Sequence, residues 1–432
     1  MATRVSLTSP AGIVRYLPGS RLKILLSAYA CRPGNGSEPG VGWHVAQQVA
    51  KYHDVWVLTQ LRHRATIEQH CRLFPIRGLR FVYYELPPWI RWWRRGPRGV
   101  QFHYYLWQIG AYSLAHDLHR QISFDLVQHV TIAKYWTPSL LALLPVPFVW
   151  GPVGGGESAP KAFWETFSIR GKGYEVLRDF ARWIGEHDPF VQMTARRSAL
   201  ALAKTAETAQ RLRVLGAKAV REFPGEALST MEITSIERNV PPDSKQVRFI
   251  CIGKLLHWKG FHLGLRAFAR TRLRDAEYWI VGDGPERHGL QALARSLGID
   301  HSTRFWGWLP REEAFRRLME CHVLVHPSLH DSGSWVCAEA MAAGRPVICL
   351  DLGGPAAQVT EETGFKVRAH DPHQAVHDLS RAMIQLASDP TLRLTMGEAA
   401  RQRSLAVFCW ERKGALLDEM YRHLIRTVRP IK

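Results

Sequence analysis

The sequence predicts an α/β protein made of two doubly wound, Rossmann-like parallel-sheet domains that face one another across a cleft. Three observations carry this reading. Near-continuous apolar strands alternate with helical stretches along the whole chain, the pattern of parallel sheets covered on both faces. The alternation starts afresh after the polar, proline-containing stretch "RNVPPDSK", Arg238 to Lys245. The chain has 432 residues, more than a single core ordinarily serves.

The elements follow in order. Residues 1–20, beginning "MATRVSLTSPAG", read as a flexible tail without the apolar run of a signal peptide. In the first domain, 21–238, "RLKILLSAYA" is a strand, followed by a glycine-rich loop and a helix from Val41 to Lys51. "DVWVLTQ", "LRFVYYEL", "FDLVQHV", "PFVWGPV" and "ALALAKT" are further strands. Residues 239–245 form the linker. In the second domain, 246–410, the strands are "VRFICIGK", "AEYWIVGDG", "TRFWGW", "HVLVHPS" and "PVICLDL", with amphipathic segments such as "REEAFRRLMEC" between them. Residues 411–432 form a last helix expected to pack back toward the first domain. Two such sheets open a ligand cleft at the carboxyl ends of their strands.

Composition narrows the class. Hydrophobic residues make up 46% and charged residues 22%, ordinary for a globular protein. The uncharged run Tyr135 to Gly156 is long enough to span a bilayer, but Pro138, Pro145, Pro147 and Pro152 interrupt it, so a short helix, a turn and a buried strand are expected. Seven cysteines, an odd number without a CxxC pair, read as buried free thiols of a reducing compartment. The net charge of +19 favours anionic partners: phosphorylated ligands, anionic lipid or nucleic acid.

Four places bear chemistry. "GKLLHWKG" puts Lys254 and Lys259 between a strand end and a helix start, where two ammonium groups suit a phosphate. "VGDGPE" is a strand-end turn through Gly282, Asp283 and Gly284. "HDSGSWVCAEAMAAGRP" sets Asp331 eight positions before Glu339 among small residues. Amides at Gly333, Ser334 and Trp335 would open a helix toward the cleft, and either carboxylate can accept sugar hydroxyls. "PPWIRWWRRGPRGVQFHYYLWQ" interleaves Trp89, Trp92, Trp93 and Trp107 with Arg91, Arg94, Arg95 and Arg98, which suits an anionic membrane interface or stacked single-stranded bases.

Together "GKLLHWKG", "VGDGPE", "HPSLHDSGSWVCAEAMAAGRPVICLDLGG" and "FCWERKGALLDEMY" resemble the retaining nucleotide-sugar glycosyltransferases of family GT4, which have the GT-B fold. "LSAYACRPGNGSEPGVGW", "QHVTIAKYWTPS" and "WGPVGGGESAP" look like a bacterial subgroup of exopolysaccharide and cell-surface glycan assembly. The resemblance implies an acceptor-binding first domain and a donor-binding second one. It implies that Lys254 and Lys259 hold the donor phosphates, that Asp331 contacts the transferred sugar and that His129 approaches it. Glu339 would hold the ribose, with Gly253, Gly282, Ser332, Gly333, Ser334 and Trp335 around the donor. The loop Gly34 to Gly42, with Gly34, Gly36 and Gly40, would border phosphates and acceptor, together with Gly154, Gly155 and Gly156.

Three positions depart from the family: Asp331 for glutamate, Lys254 for arginine, and Gln128 where the subgroup often has a second histidine. The donor would be UDP- or GDP-linked. No D-x-D occurs, so neither metal nor other cofactor is expected. The acceptor implied is polyprenyl-linked, placing the enzyme in the cytoplasm on the inner face of the bacterial membrane, with residues 89–98 at the lipid. The alternative is a non-catalytic basic protein that binds nucleic acid or anionic membrane. No nucleic-acid-binding motif supports the former. "GNGSEPG" is not G-x-G-x-x-G, which argues against a dinucleotide-dependent dehydrogenase.

Overall fold

The structure, a computed structural model, describes residues 20–91, 99–237 and 246–427. The expected tail to residue 19, the linker 239–245, and Trp92, Trp93, Arg94, Arg95 and Arg98 lie outside the described residues.

The first sheet contains β1 (Lys23–Ala28), β2 (Asp54–Gln60), β3 (Leu79–Tyr84), β4 (Leu126–Thr131), β5 (Phe148–Val153), β6 (Leu200–Ala203) and β7 (Val220–Glu222). Their order is β3-β2-β1-β4-β5-β6-β7, and every pair is parallel. The second sheet contains β8 (Val247–Ile252), β9 (Ala276–Val281), β10 (Thr303–Gly307), β11 (Val323–His326), β12 (Val347–Leu350) and β13 (Gly364–Val367). Its order, β10-β9-β8-β11-β12-β13, is also parallel throughout. Both sheets are therefore doubly wound, with switch points between β1 and β4 and between β8 and β11. The central strands are apolar because helices cover both faces: β4, β5, β9, β11 and β12 are buried along their length. β7 and β13 escaped the sequence reading. Each is short and lies at a sheet edge, with exposed residues that break the apolar run.

The run from Tyr135 to Gly156 forms a single 3₁₀ turn, Leu140–Leu143, and then β5. Among the described residues no helix is long and apolar enough to cross a membrane. All seven cysteines are free. Two expectations need correction. The first helix runs Ser37–Tyr52, so it starts four residues before Val41 with Gly36 as its N-cap. Gly40 is thus helical rather than part of the loop, and a side chain there would strike the Asn35 carbonyl. Trp107, read as part of a membrane-facing segment, is buried in the helix Val100–Ile122 and donates from Nε1 to the Tyr84 carbonyl, 3.1 Å.

The boundary between domains also moves. The helix Thr230–Glu237 was assigned to the first domain because the polar stretch follows it. Its inner residues Ile233 and Ile236 instead cluster with Ala342, Ala343 and Cys409 of the second half. The chain passes between domains just before this helix and returns at residues 408–410. The two crossings are hydrogen-bonded to each other: Leu228 N donates to the Phe408 carbonyl, 2.8 Å, and Trp410 N to the Leu228 carbonyl, 2.9 Å.

The last helix, Trp410–Thr427, lies on the helix Ser37–Tyr52 of the first domain. Asp418 Oδ1 lies 2.9 Å from His53 Nε2 and accepts from Arg422 Nε at 2.6 Å, and Tyr421 donates to Gln128 Oε1. Trp410 is buried against the His44 ring, centroids 5.0 Å apart. Emptying that site in Trp410→Ala should destabilise the fold by about 3–5 kcal/mol, read as an earlier midpoint in denaturant unfolding.

Candidate active site

The cleft is built where parallel strands deliver their carboxyl ends. β8 ends in the loop Gly253–Leu256 and the 3₁₀ turn His257–Lys259; β11, its neighbour across the switch point, ends in Pro327–Ser334. Side chains from both loops therefore converge. At Gly282 the backbone passes so close to the Gly253 carbonyl that no side chain fits, and its φ of +140° suits glycine. A cavity of about 600 Å³ opens beside them, lined by Gly253, Lys254, Gly282, Asp283 and Trp308. Lys254 is exposed at this cavity. An adjoining cavity of about 300 Å³ is lined by Glu339, Arg311, Trp335, Ile252 and, from the first domain, Gly36 and Ser37. The glycine loop and Glu339 thus meet across the cleft.

Asp331 and Glu339, the two acids of "HDSGSWVCAEAMAAGRP", have different surroundings. Asp331 Oδ2 accepts from Lys259 Nζ at 2.6 Å and from His326 Nε2 at 3.1 Å. Burial pushes its carboxyl up, but the Lys259 charge and the His326 hydrogen bond outweigh this and hold it well below the usual carboxylate range. His326 itself is held below the ordinary histidine value by burial, against the pull of Asp331. Glu339, in the helix Trp335–Ala342, accepts from Arg311 Nε at 2.8 Å, and Arg311 also reaches Glu232 at 3.0 Å. Burial raises the Glu339 carboxyl above its ordinary value despite Arg311. Ser334 caps this helix by accepting from Cys337 N, 3.2 Å.

Ser332 and Gly333 meet side chains of the first domain. Ser332 Oγ accepts from Gly155 N and donates to Glu157 Oε2, both at 2.7 Å. Gly154 lies against the same serine, and Gly156 packs on Thr208. Any side chain at Gly333 would overlap the Glu226 carboxylate, so that acid stands beside the motif's first amides. Glu226 is paired with Lys204 at 3.1 Å. Burial lowers the Lys204 ammonium, but Glu226 and Glu38 carry it above its ordinary value. Lys413, buried nearby and bonded to the Pro224 and Glu226 carbonyls, is pulled down by burial to about 7. A second junction is Glu175, whose Oε1 accepts from His257 Nε2 at 2.9 Å and His330 Nε2 at 3.0 Å.

The structure therefore gathers Lys259, Asp331, Glu339, Gly36, Ser332, Gly333 and Gly154 to Gly156 around one cleft, with Lys254 at its edge and Gly34 in the turn leading to Gly36. It does not bring His129 into contact with them. That ring is buried in the first core, edge-on to Tyr104, with Nε2 donating to the Ile132 carbonyl at 3.2 Å. Burial lowers it to about 4, against the Ile132 hydrogen bond. His326, Arg311, Glu157, Lys204, Glu226 and Glu175 were not singled out from the sequence. Three of them carried a signal: His326 ends an apolar strand, Lys204 follows one in "ALALAKT", and Glu157 lies in "WGPVGGGESAP". Among the described residues no three His, Cys, Asp or Glu side chains gather as metal ligands.

Glu175 gives a pH prediction. Burial alone would raise its carboxyl, but hydrogen bonds from His257 and His330 depress it from 4.5 to about 2. Its stabilisation is complete above the unfolded value near 4.5 and is lost as pH falls toward the folded value near 2. Thermal melts between pH 2 and 6 should show Glu175→Gln less stable than wild type at pH 6, with the difference shrinking as pH falls.

Residues 232–403 match the family described as "Glycosyl transferases group 1". A D-inositol 3-phosphate glycosyltransferase of Corynebacterium jeikeium is 32% identical over 48% of this chain and 50% of its own length. The lipopolysaccharide core biosynthesis glycosyltransferase LpsE of Rhizobium meliloti is 29% identical over 49% of this chain and 60% of its own. The chain spans about half the length of the curated relatives it matches first. Among solved structures, Anabaena Alr3699/HepE in complex with UDP superposes with a TM-score of 0.60 at 16% identity, covering 93% of this chain and all of that one. The matched segment begins in the helix Thr230–Glu237 and spans the whole second sheet, and the two described domains together have the GT-B fold.

Proposed function

We propose that this protein is a retaining glycosyltransferase that moves a sugar from a UDP- or GDP-linked donor to a polyprenyl-linked glycan acceptor on the inner face of the bacterial cytoplasmic membrane. Surface polysaccharide or exopolysaccharide assembly is the pathway this reading favours. The observation that carries it is the pairing of Lys259 with Asp331 at the β8–β11 switch point, one cavity wall away from the Glu339–Arg311 pair. The UDP complex of the Anabaena relative and the lipopolysaccharide role of LpsE support donor and pathway respectively.

The chemistry follows from charge. As the bond from the anomeric carbon to the diphosphate breaks, negative charge grows on the leaving oxygen. Lys259 and Lys254 meet it, in a site where preorganised cations are worth far more than in water. Asp331 orients Lys259 and offers its second oxygen to a sugar hydroxyl. Glu339 accepts the ribose hydroxyls, with Trp335 and Ile252 as the apolar wall. The acceptor oxygen attacks from the leaving-group face, forms the new glycosidic bond and passes its proton to the departing diphosphate. The lysines supply the positive charge, so the step needs no metal.

Incubation of the protein with labelled UDP- and GDP-sugars and a polyprenyl diphosphate-linked acceptor tests the assignment; no transfer from any donor would sink it. Lys259→Ala should lower kcat roughly 10²- to 10³-fold. Glu339→Ala should weaken UDP binding about tenfold or more in calorimetry while still folding, because Arg311 keeps Glu232. Near wild-type behaviour of both variants would overturn the site.

A further inference from the structure

The helix Ile169–His187 of the first domain is inverted in polarity. Its packed face carries Glu175, bonded to the second domain, and Arg182, bonded to the Gly156 and Glu157 carbonyls. Gly171 and Gly185 on that face let the helix lie close to His257 and Trp136. Its outer face is apolar. Ile169, Val176, Leu177, Phe180, Trp183 and Ile184 are each more than half exposed. At 100° per residue these six fall within an arc of about 120°, opposite the packed face, over about 22 Å of helix. An apolar ridge of this size in water marks an interaction surface.

We infer that this ridge is a docking surface for an anionic lipid bilayer. The charge around it decides the occupant. Arg170 and Lys172, both exposed, flank the stripe on its two sides, and no carboxylate among the described residues pairs with them. The neighbouring acids are engaged elsewhere: Asp179 with Arg182 at 2.7 Å, Glu186 with Tyr135 and Arg211, and Asp188 as the cap of the following helix. Cations in the plane of an apolar stripe that contains phenylalanine and tryptophan are the pattern of a helix lying in a membrane interface. The exposed apolar surface continues sideways. Exposed Phe190 touches Tyr105 on the helix Val100–Ile122, where Phe102 and Ile109 are also exposed. A broad platform suits a bilayer better than the groove of a protein partner. This surface lies some way along the chain from the tryptophan–arginine segment that the sequence suggested. The inference gives the lipid-linked acceptor of the proposed function a place to be met, and the test below uses no sugar transfer.

Full-length protein is sedimented with vesicles of phosphatidylcholine alone and with 30% phosphatidylglycerol. We expect binding to the anionic vesicles, weakened by salt. Leu177→Ser/Phe180→Ser/Trp183→Ser should lower the partition coefficient at least tenfold. Arg170→Gln/Lys172→Gln should lower it about fivefold for each cation, on anionic vesicles only. Melting temperature and UDP binding of both variants should match wild type, because none of these side chains lines the cleft. No binding by wild type, or equal binding by the triple variant, would overturn the proposal. So would a dimer of the wild-type chain that the triple variant abolishes, since the ridge would then bind a second copy. Vesicle binding by a wild-type protein that transfers no sugar in the separate donor assay would count against the catalytic reading and not against this one.

Discussion

Glu157 is the group on which the closed arrangement of the cleft rests. Its carboxylate is buried, and it accepts from Gly155 N, Ser332 Oγ, Thr205 Oγ1 and Thr208 Oγ1 at 2.5–3.0 Å. A buried carboxyl group without partners would be strongly disfavoured; these four donors make it tolerable. Three of them come from the first domain and one, Ser332, from the second. The small residues on both sides of the cleft follow from this contact. Gly154 faces Ser332, and Gly353 faces both Glu157 and the Asp331 carbonyl. Any side chain there would push the domains apart.

The same contact explains why Asp331 and Glu339 behave differently despite sharing a motif. Asp331 lies one residue from the junction and is pinned between Lys259 and His326. Glu339 lies just over one turn into the helix Trp335–Ala342, on the wall that looks toward Gly36, and has one cation, Arg311, shared with Glu232. The first is a charge held ready beside another charge. The second is a carboxyl whose burial is only partly compensated.

Much of this was legible in the sequence. Apolar strands, their alternation with helices and the restart after residue 245 sufficed for two doubly wound sheets, because parallel sheets must be buried on both faces. Lys259, Asp331 and Glu339 could be placed because each lies within a few residues of a strand end. Contacts between distant segments could not be read. Nothing near Glu175 in the chain announces His257 or His330, and nothing near Ser332, expected around the donor, announces that Gly155 and Glu157 take its hydroxyl. The domain boundary failed for a related reason: polarity marks a linker, but only packing shows to which core the helix before it belongs. Helix 169–187 has an ordinary amphipathic period; that its apolar side faces outward is decided by what lies under it.

The paired crossings at Leu228 and Phe408–Trp410 set what motion the two halves can make. A single covalent connection would leave them free to twist, slide and swing. Two strands of chain, bonded to each other at the seam, act as a knuckle with one axis. Rotation about that axis leaves both hydrogen bonds in place, whereas sliding would shear them. A swing about this seam would separate Ser332 from Gly155 and leave both hydrogen bonds of the seam in place.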